Sequence, residues 1–232
     1  MKIASFNIRS FRGMDNSRAP EKTFAAIRLL TPDLIGLQEV RKLTEEKVFP
    51  LDDIAGKLGM KSHFCKTVVK EEFDYGIGLL SKYPFTLVEE LFLPTPEGKE
   101  KRAALIVKIH APSGDFYFIN THLSSRNSGG PEARKEQMIF LLKKMEKEKL
   151  FPAILLGDLN SLPDSEVIAL LREKADIFGD DTPTFPAGAP NRKLDYIAGL
   201  PKGAFRWENH QVVNDPATSD HRPILTDIIK LK

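Results

Sequence analysis

Apolar residues fall along this chain in short runs, not in long stripes or strict alternation. The runs cover residues 3–8, 34–37, 77–80, 103–109, 116–119 and 153–156, and Ile, Leu, Ala and Phe dominate them. Continuous short runs of this kind predict strands covered on both faces, because a strand with one wet face alternates. Residues 61–65, 196–197 and 224–229 read as further strands. Helical spacing lies between them. Residues 20–30 open with a proline suited to a first helical turn and then set Phe24, Ile27 and Leu30 on one face. Residues 131–149 place Met138, Leu141, Leu142 and Met145 in one stripe under a charged outer face. Residues 164–173 begin with acids and carry Val167, Leu170 and Leu171, and acidic starts suit the helix dipole.

Turn-forming residues collect at 94–98, 124–130 and 180–190, and none of these stretches is long enough to be a domain linker. A chain of 232 residues is therefore expected to form one α/β domain. Hairpin-like and crossover-like spacings occur together, which argues against a purely parallel sheet.

The chemistry gathers where the apolar runs stop. The first run reaches Ser5-Phe6-Asn7, and the second ends in Leu37-Gln38-Glu39. Others end in Asn120-Thr121-His122 and in Gly157-Asp158-Leu159-Asn160. Leu194-Asp195-Tyr196-Ile197 and Ser219-Asp220-His221 complete the series. Residues two apart in a strand point to the same side, which pairs Asp158 with Asn160 and Asn120 with His122. Each residue alone has a plain structural reading. Asp158 and Asn160 can form an Asx turn, Glu39 can open a helix, Asp220 can cap one, and Arg102 can pair at the surface. Six polar strand ends in one chain fit a common rim better than six separate accidents.

Glu39, Asp158 and Asp220 offer hard oxygen ligands, and Asn7 and Asn160 add neutral polar ones, a set that suits Mg2+ or Mn2+. Structural zinc would call for several Cys or His at short spacing. His221 can serve as a general base if a carboxylate fixes its tautomer. Asp220 is its neighbour and points the other way in extended chain, so Asp195 is the better orienting partner. His122, Asn160 and Asn7 can donate to phosphate oxygens.

At this point the chain resembles the endonuclease/exonuclease/phosphatase superfamily, with its DNase I-like fold. Leu37-Gln38-Glu39-Val40, Gly76-Ile77-Gly78, Asn120-Thr121-His122, Gly157-Asp158-Leu159-Asn160, Leu194-Asp195-Tyr196-Ile197 and Ser219-Asp220-His221 stand in that family's order. The resemblance implies a four-layer α-β-β-α sandwich of two packed mixed sheets flanked by helices. It implies Glu39 as principal metal ligand, with Asn7 and Asp220. It gives His221 and Asp195 the activation of water and Asp158 the nucleophile or leaving group. Asn160 and His122 would hold the scissile phosphate, with Asn7 and Arg102 also on the substrate side. Residues 182–186 followed by 194–197 are similar to small bacterial members of the family. Some abasic-site repair members carry an aspartate where this chain has Arg9 and a tyrosine where it has His122.

Charge and cysteine usage add bounds. The net charge is +2 and the pI about 8.5, which tolerates a phosphate-ester substrate without announcing nucleic acid. Six arginines, at 9, 12, 18, 126, 134 and 192, are the candidate track for a nuclease reading. A phosphate-binding module without catalysis is the third reading. The single cysteine, Cys65, reads as a buried inert thiol. No signal peptide or apolar run of membrane-spanning length is evident, so a monomeric cytoplasmic protein is expected.

Overall fold

The computed structural model describes residues 1–231. It contains two six-stranded sheets packed face to face. The first sheet holds β1 (Lys2–Asn7), β2 (Leu34–Leu43), β3 (Lys61–Val69), β4 (Phe73–Ser81), β11 (Phe205–Val212) and β12 (Ile224–Lys230), in the order β11-β12-β1-β2-β4-β3. The second holds β5 (Phe85–Leu93), β6 (Arg102–Ile109), β7 (Phe116–His122), β8 (Ala153–Asp158), β9 (Asp176–Ile177) and β10 (Asp195–Leu200), in the order β5-β6-β7-β8-β10-β9. Helices α1 (Pro20–Leu30) and α2 (Pro50–Leu58) cover the outer face of the first sheet, and α3 (Gly130–Glu148) and α4 (Glu166–Lys174) that of the second. This is the DNase I-like α-β-β-α sandwich. No helix among the described residues is long and apolar enough to cross a membrane.

Period-two alternation explains the layers. In β1, Ile3 faces the core between the sheets, while Ala4 and Phe6 pack toward α1 and α2 with Ile27, Leu30 and Leu51. In β8, Ile154 and Leu156 face the inter-sheet core, and Leu155 packs under α3 and α4 with Met138, Leu141 and Val167. Both faces are therefore dry, which is why the sequence shows unbroken apolar runs.

Each sheet contains one parallel pair, β1 with β2 and β7 with β8, and every other named pairing is antiparallel. A parallel pair needs a crossover, and α1 and α3 supply the two. Both pairs end at the same rim, so Asn7, Glu39, His122 and Asp158 arrive together. The sheets are tied between their inner faces as well. Gln38 donates to Asn120 Oδ1 at 2.8 Å, and Asn120 donates to the carbonyls of Leu37 and Gly78 at 3.0 and 2.8 Å. Asn120 is thus a brace, not a site residue.

Gly157 sits beside the site in β8 at φ 141°, and a Cβ there would lie 1.8 Å from the Thr121 carbonyl oxygen. Gly157→Ala is expected to destabilise the fold by at least about 2 kcal/mol, read as a lowered urea midpoint. Cys65 is fully buried, and burial pushes its thiol up to about 12. With almost no thiolate available, the native protein should react with thiol reagents near pH 8 at least about tenfold more slowly than the denatured chain. Comparable rates in the two states would place Cys65 outside the core.

Candidate active site

The rim opens into a cleft of about 1080 Å³, lined at its floor by Glu39, His122, Asp158, Asn160, Asp220 and His221. Asp158 is central. It pairs in register with His122 on one side and with Asp195 on the other. Its Oδ1 accepts the Asn160 N–H at 2.9 Å, so the Asx turn is real and serves the site. Its Oδ2 accepts from Asn7 Nδ2 at 3.0 Å and lies 3.4 Å from His122 Nε2 and 3.6 Å from His221 Nε2. Burial raises the Asp158 pKa against the opposing charge of His221, and Asp195 adds to the rise.

His221 follows the irregular stretch before β12, where Ser219 Oγ donates to the Asn7 carbonyl at 2.7 Å and anchors the turn. Its Nδ1 lies 2.9 Å from Asp195 Oδ2, both groups are buried, and Phe185 covers the ring at a centroid distance of 4.8 Å. Burial opposes the imidazolium, but Asp195 and Asp158 outweigh it and raise the pKa. His122 shifts the other way. Burial, Arg102 and His221 hold its pKa well below the ordinary value. Arg102 donates to His122 Nδ1 at 3.0 Å, so the single proton of neutral His122 belongs on Nε2, facing Asp158 and the cleft.

Glu39 arrives by a bulge. The β2–β4 register shifts between Leu37 and Val40, and Glu39 takes φ 56°. Burial raises its pKa, and the Asp220 carboxylate raises it further, while the Asn7 hydrogen bond opposes both. Asn7 Nδ2 lies 3.1 Å from Glu39 Oε1 and 3.0 Å from Asp158 Oδ2, and Asn7 Oδ1 accepts the Arg9 N–H. Asn7 therefore bridges two carboxylates as a donor. Glu39 and Asp220 line the cleft together with Asp158.

Beyond β1 the backbone takes three consecutive left-handed residues, Arg9, Ser10 and Phe11, at φ 46°, 57° and 60°. Each costs roughly 1–2 kcal/mol, and the fully buried Phe11 ring and a bond from Arg18 to the Ser10 carbonyl hold the turn. The turn places Arg9 Nε 3.5 Å from Asp220 Oδ2.

A histidine–aspartate pair, a central buried carboxylate and two further acids thus meet on one two-sheet rim. The model of the Endonuclease/Exonuclease/phosphatase family matches residues 4–221. The chain belongs to the endonuclease/exonuclease/phosphatase family. Over 173 residues it is 27% identical to exodeoxyribonuclease III of Haemophilus influenzae, a match covering 70% of this chain and 58% of that protein. The chain thus spans less than two thirds of that relative's length. An endonuclease/exonuclease/phosphatase from Beutenbergia cavernae shares the fold at a TM-score of 0.80 and 22% identity, over 99% of this chain and 71% of that one. A mannosyl-6-phosphatase of Bacteroides thetaiotaomicron does so at 0.76 and 19% identity, over 99% of each chain.

Two expectations change within this family frame. Arg102 reaches the cleft wall, where its Nη atoms meet His122, Ser128 Oγ at 3.3 Å and Glu100 at 3.1 Å while its buried Nε–H has no acceptor, so it positions His122 from behind. The six arginines expected as a phosphate track are absent from the described lining of the cleft. Arg9 pairs with Asp220, Arg18 with Glu46, Arg134 donates to the Ser124 carbonyl, and Arg192 lies over Phe185.

One support of Asp195 does not stand out by itself in the sequence, although it lies within the 182–186 stretch that is similar to small members of the family. Thr184 is fully buried, donates to Asp195 Oδ2 at 2.6 Å and accepts the Leu194 N–H at 3.1 Å. It lies in a proline-bounded loop, where threonine carries no periodicity to betray burial. Thr184→Val leaves a buried carboxylate and an N–H each short of one partner. It is expected to cost about 1–3 kcal/mol in urea unfolding; an unchanged midpoint would remove Thr184 from the support of Asp195.

Proposed function

We propose that residues 1–232 act as one catalytic domain, a divalent-metal-dependent phosphoesterase that hydrolyses a phosphodiester or phosphomonoester. The observation that carries this reading is the buried His221–Asp195 pair at 2.9 Å, with His221 Nε2 turned to the cleft beside Asp158. His221 Nε2 takes a proton from the attacking water, while Asp195 fixes the tautomer and stabilises the imidazolium that results. Asp158, fixed by Asn7 and the Asn160 N–H, orients that water or assists the leaving oxygen. Neutral His122 and the Asn160 amide donate hydrogen bonds to the phosphoryl oxygens, with Asn7 close behind them. The products are an alcohol and the remaining phosphate.

The donor set fits a hard cation. Glu39 and Asp220 are oxygen ligands of like charge, near enough that Asp220 raises the Glu39 pKa, and a cation relieves that repulsion. Bound Mg2+ or Mn2+ would supply positive charge that polarises a phosphoryl oxygen and favours the neutral, basic form of His221.

A nuclease is the second reading. The lysine and arginine side chains on one wall of the cleft favour it, and so does the match to an exodeoxyribonuclease. Generic phosphodiester and phosphomonoester substrates, plasmid and single-stranded DNA form the test panel. Turnover should require Mg2+ or Mn2+ and vanish with chelator, and His221→Ala should lower kcat by about 10²–10⁴-fold. Full activity in chelator would reject the metal, and full activity in His221→Ala would reject the base. DNA cleavage falling steeply with salt would select the nuclease.

A further inference from the structure

The cleft is much wider than its catalytic floor. One wall, built by β2, the β3–β4 hairpin and the loop before β6, carries Arg41, Lys66, Lys70, Lys99 and Lys101. Some of this charge is spent, since Lys66 pairs with Asp74 at 2.7 Å. The acid on this wall, Glu100, is taken by Arg102 at 3.1 Å.

Arg41 is different. It stands two residues beyond Glu39 on the same strand, about 7 Å along it. Its guanidinium lies 4.1 Å from the Phe73 ring centroid and 5.9 Å from that of Tyr75. Lys70 Nζ reaches the same Phe73 ring at 5.6 Å. Neither cation makes an ion pair with a carboxylate among the described residues, and the buried Arg41 Nε–H has no acceptor. A planar guanidinium held on aromatic rings and lacking a protein acceptor is preorganised for a tetrahedral oxyanion.

We propose that Arg41 and Lys70, set on Phe73, form a second phosphate subsite, and that the substrate carries a phosphate beyond the one bound at His221. This rests on the reading of the floor as a phosphoester site and narrows its substrate class to compounds with two or more phosphates. A free bisphosphate and a nucleic-acid strand both offer that chemistry.

The test is equilibrium binding to the His221→Ala protein with Mg2+ present, so that turnover does not intrude. The probes are adenosine 3′,5′-bisphosphate against adenosine 5′-monophosphate, and thymidine trinucleotide against thymidine 5′-monophosphate. The two-phosphate probe should bind about tenfold tighter or more, and Arg41→Gln in the same background should bring that ratio to within about twofold of one. Lys70→Gln, an exposed change that spares the packed guanidinium, should lower the ratio by about threefold and guards against misfolding of the first variant. Preference for both two-phosphate probes assigns the subsite to phosphate itself, and preference for the trinucleotide alone assigns it to a strand. A ratio near one in the His221→Ala protein, or one untouched by either substitution, overturns the subsite. A preserved preference in a protein whose wild type hydrolyses none of the test panel would count against the hydrolase reading and leave the subsite standing.

Discussion

Asn7 joins the two halves of the molecule at the point where chemistry is placed. Its side-chain amide donates to Glu39 in its own sheet at 3.1 Å and to Asp158 in the opposite sheet at 3.0 Å. Behind it, Gln38 and Asn120 repeat the bridge one step deeper, where no water competes. Two sheets that slid past one another by one residue would lose both bridges. The inter-sheet core supplies cohesion without direction, so these polar ties are what fix the relative position of the sheets. The close approach shows at Gly36, where a Cβ would sit 2.3 Å from Leu156 Cδ1.

Electrostatics then separates groups that look alike. His122 and His221 stand at similar distances from Asp158 Oδ2, 3.4 and 3.6 Å, and burial opposes the charged form of both. What differs is the residue behind each ring. Arg102 donates to His122 and keeps it neutral, a fixed donor from Nε2. Asp195 faces His221 and favours its charged form, which is the partner a proton acceptor needs. Opposite shifts beside a shared carboxylate suit the two rings to the proposed roles of hydrogen-bond donor and proton carrier.

Much of this was legible in the chain before folding. Strands covered on both faces gave unbroken apolar runs, so β1, β6, β7 and β8 were visible, and the polar residues at their ends marked the rim. The choice of Asp195 over Asp220 for His221 followed from alternation and agrees with the 2.9 Å contact. Two edge strands and one short helix were hidden. β5 and β11 lie at the margins of their sheets, each with one wet face and mixed residues, and α2 has only nine residues to show a period. Glu39 was found, but not the left-handed bulge that aims it, because a glutamate at positive φ leaves no mark in composition. Thr184 was hidden for the same reason that most supports are: one hydroxyl in a loop says nothing until Asp195 lies against it.

The same distinction governs specificity. The floor is built by strand ends from both sheets, so its residues answer to the packing of the whole molecule. Much of the wall is built by the β3–β4 hairpin turn and the loop at 98–101, whose residues are exposed. Sequence change there costs the core almost nothing. In this chain the wall contributes cations set on aromatic rings while the floor contributes carboxylates. A ligand that satisfies both must bring a metal-compatible phosphoester to one end and further negative charge to the other. The basic residues that matter for that purpose are set by which side of a hairpin faces the cleft, and a count of arginines along the chain cannot supply it.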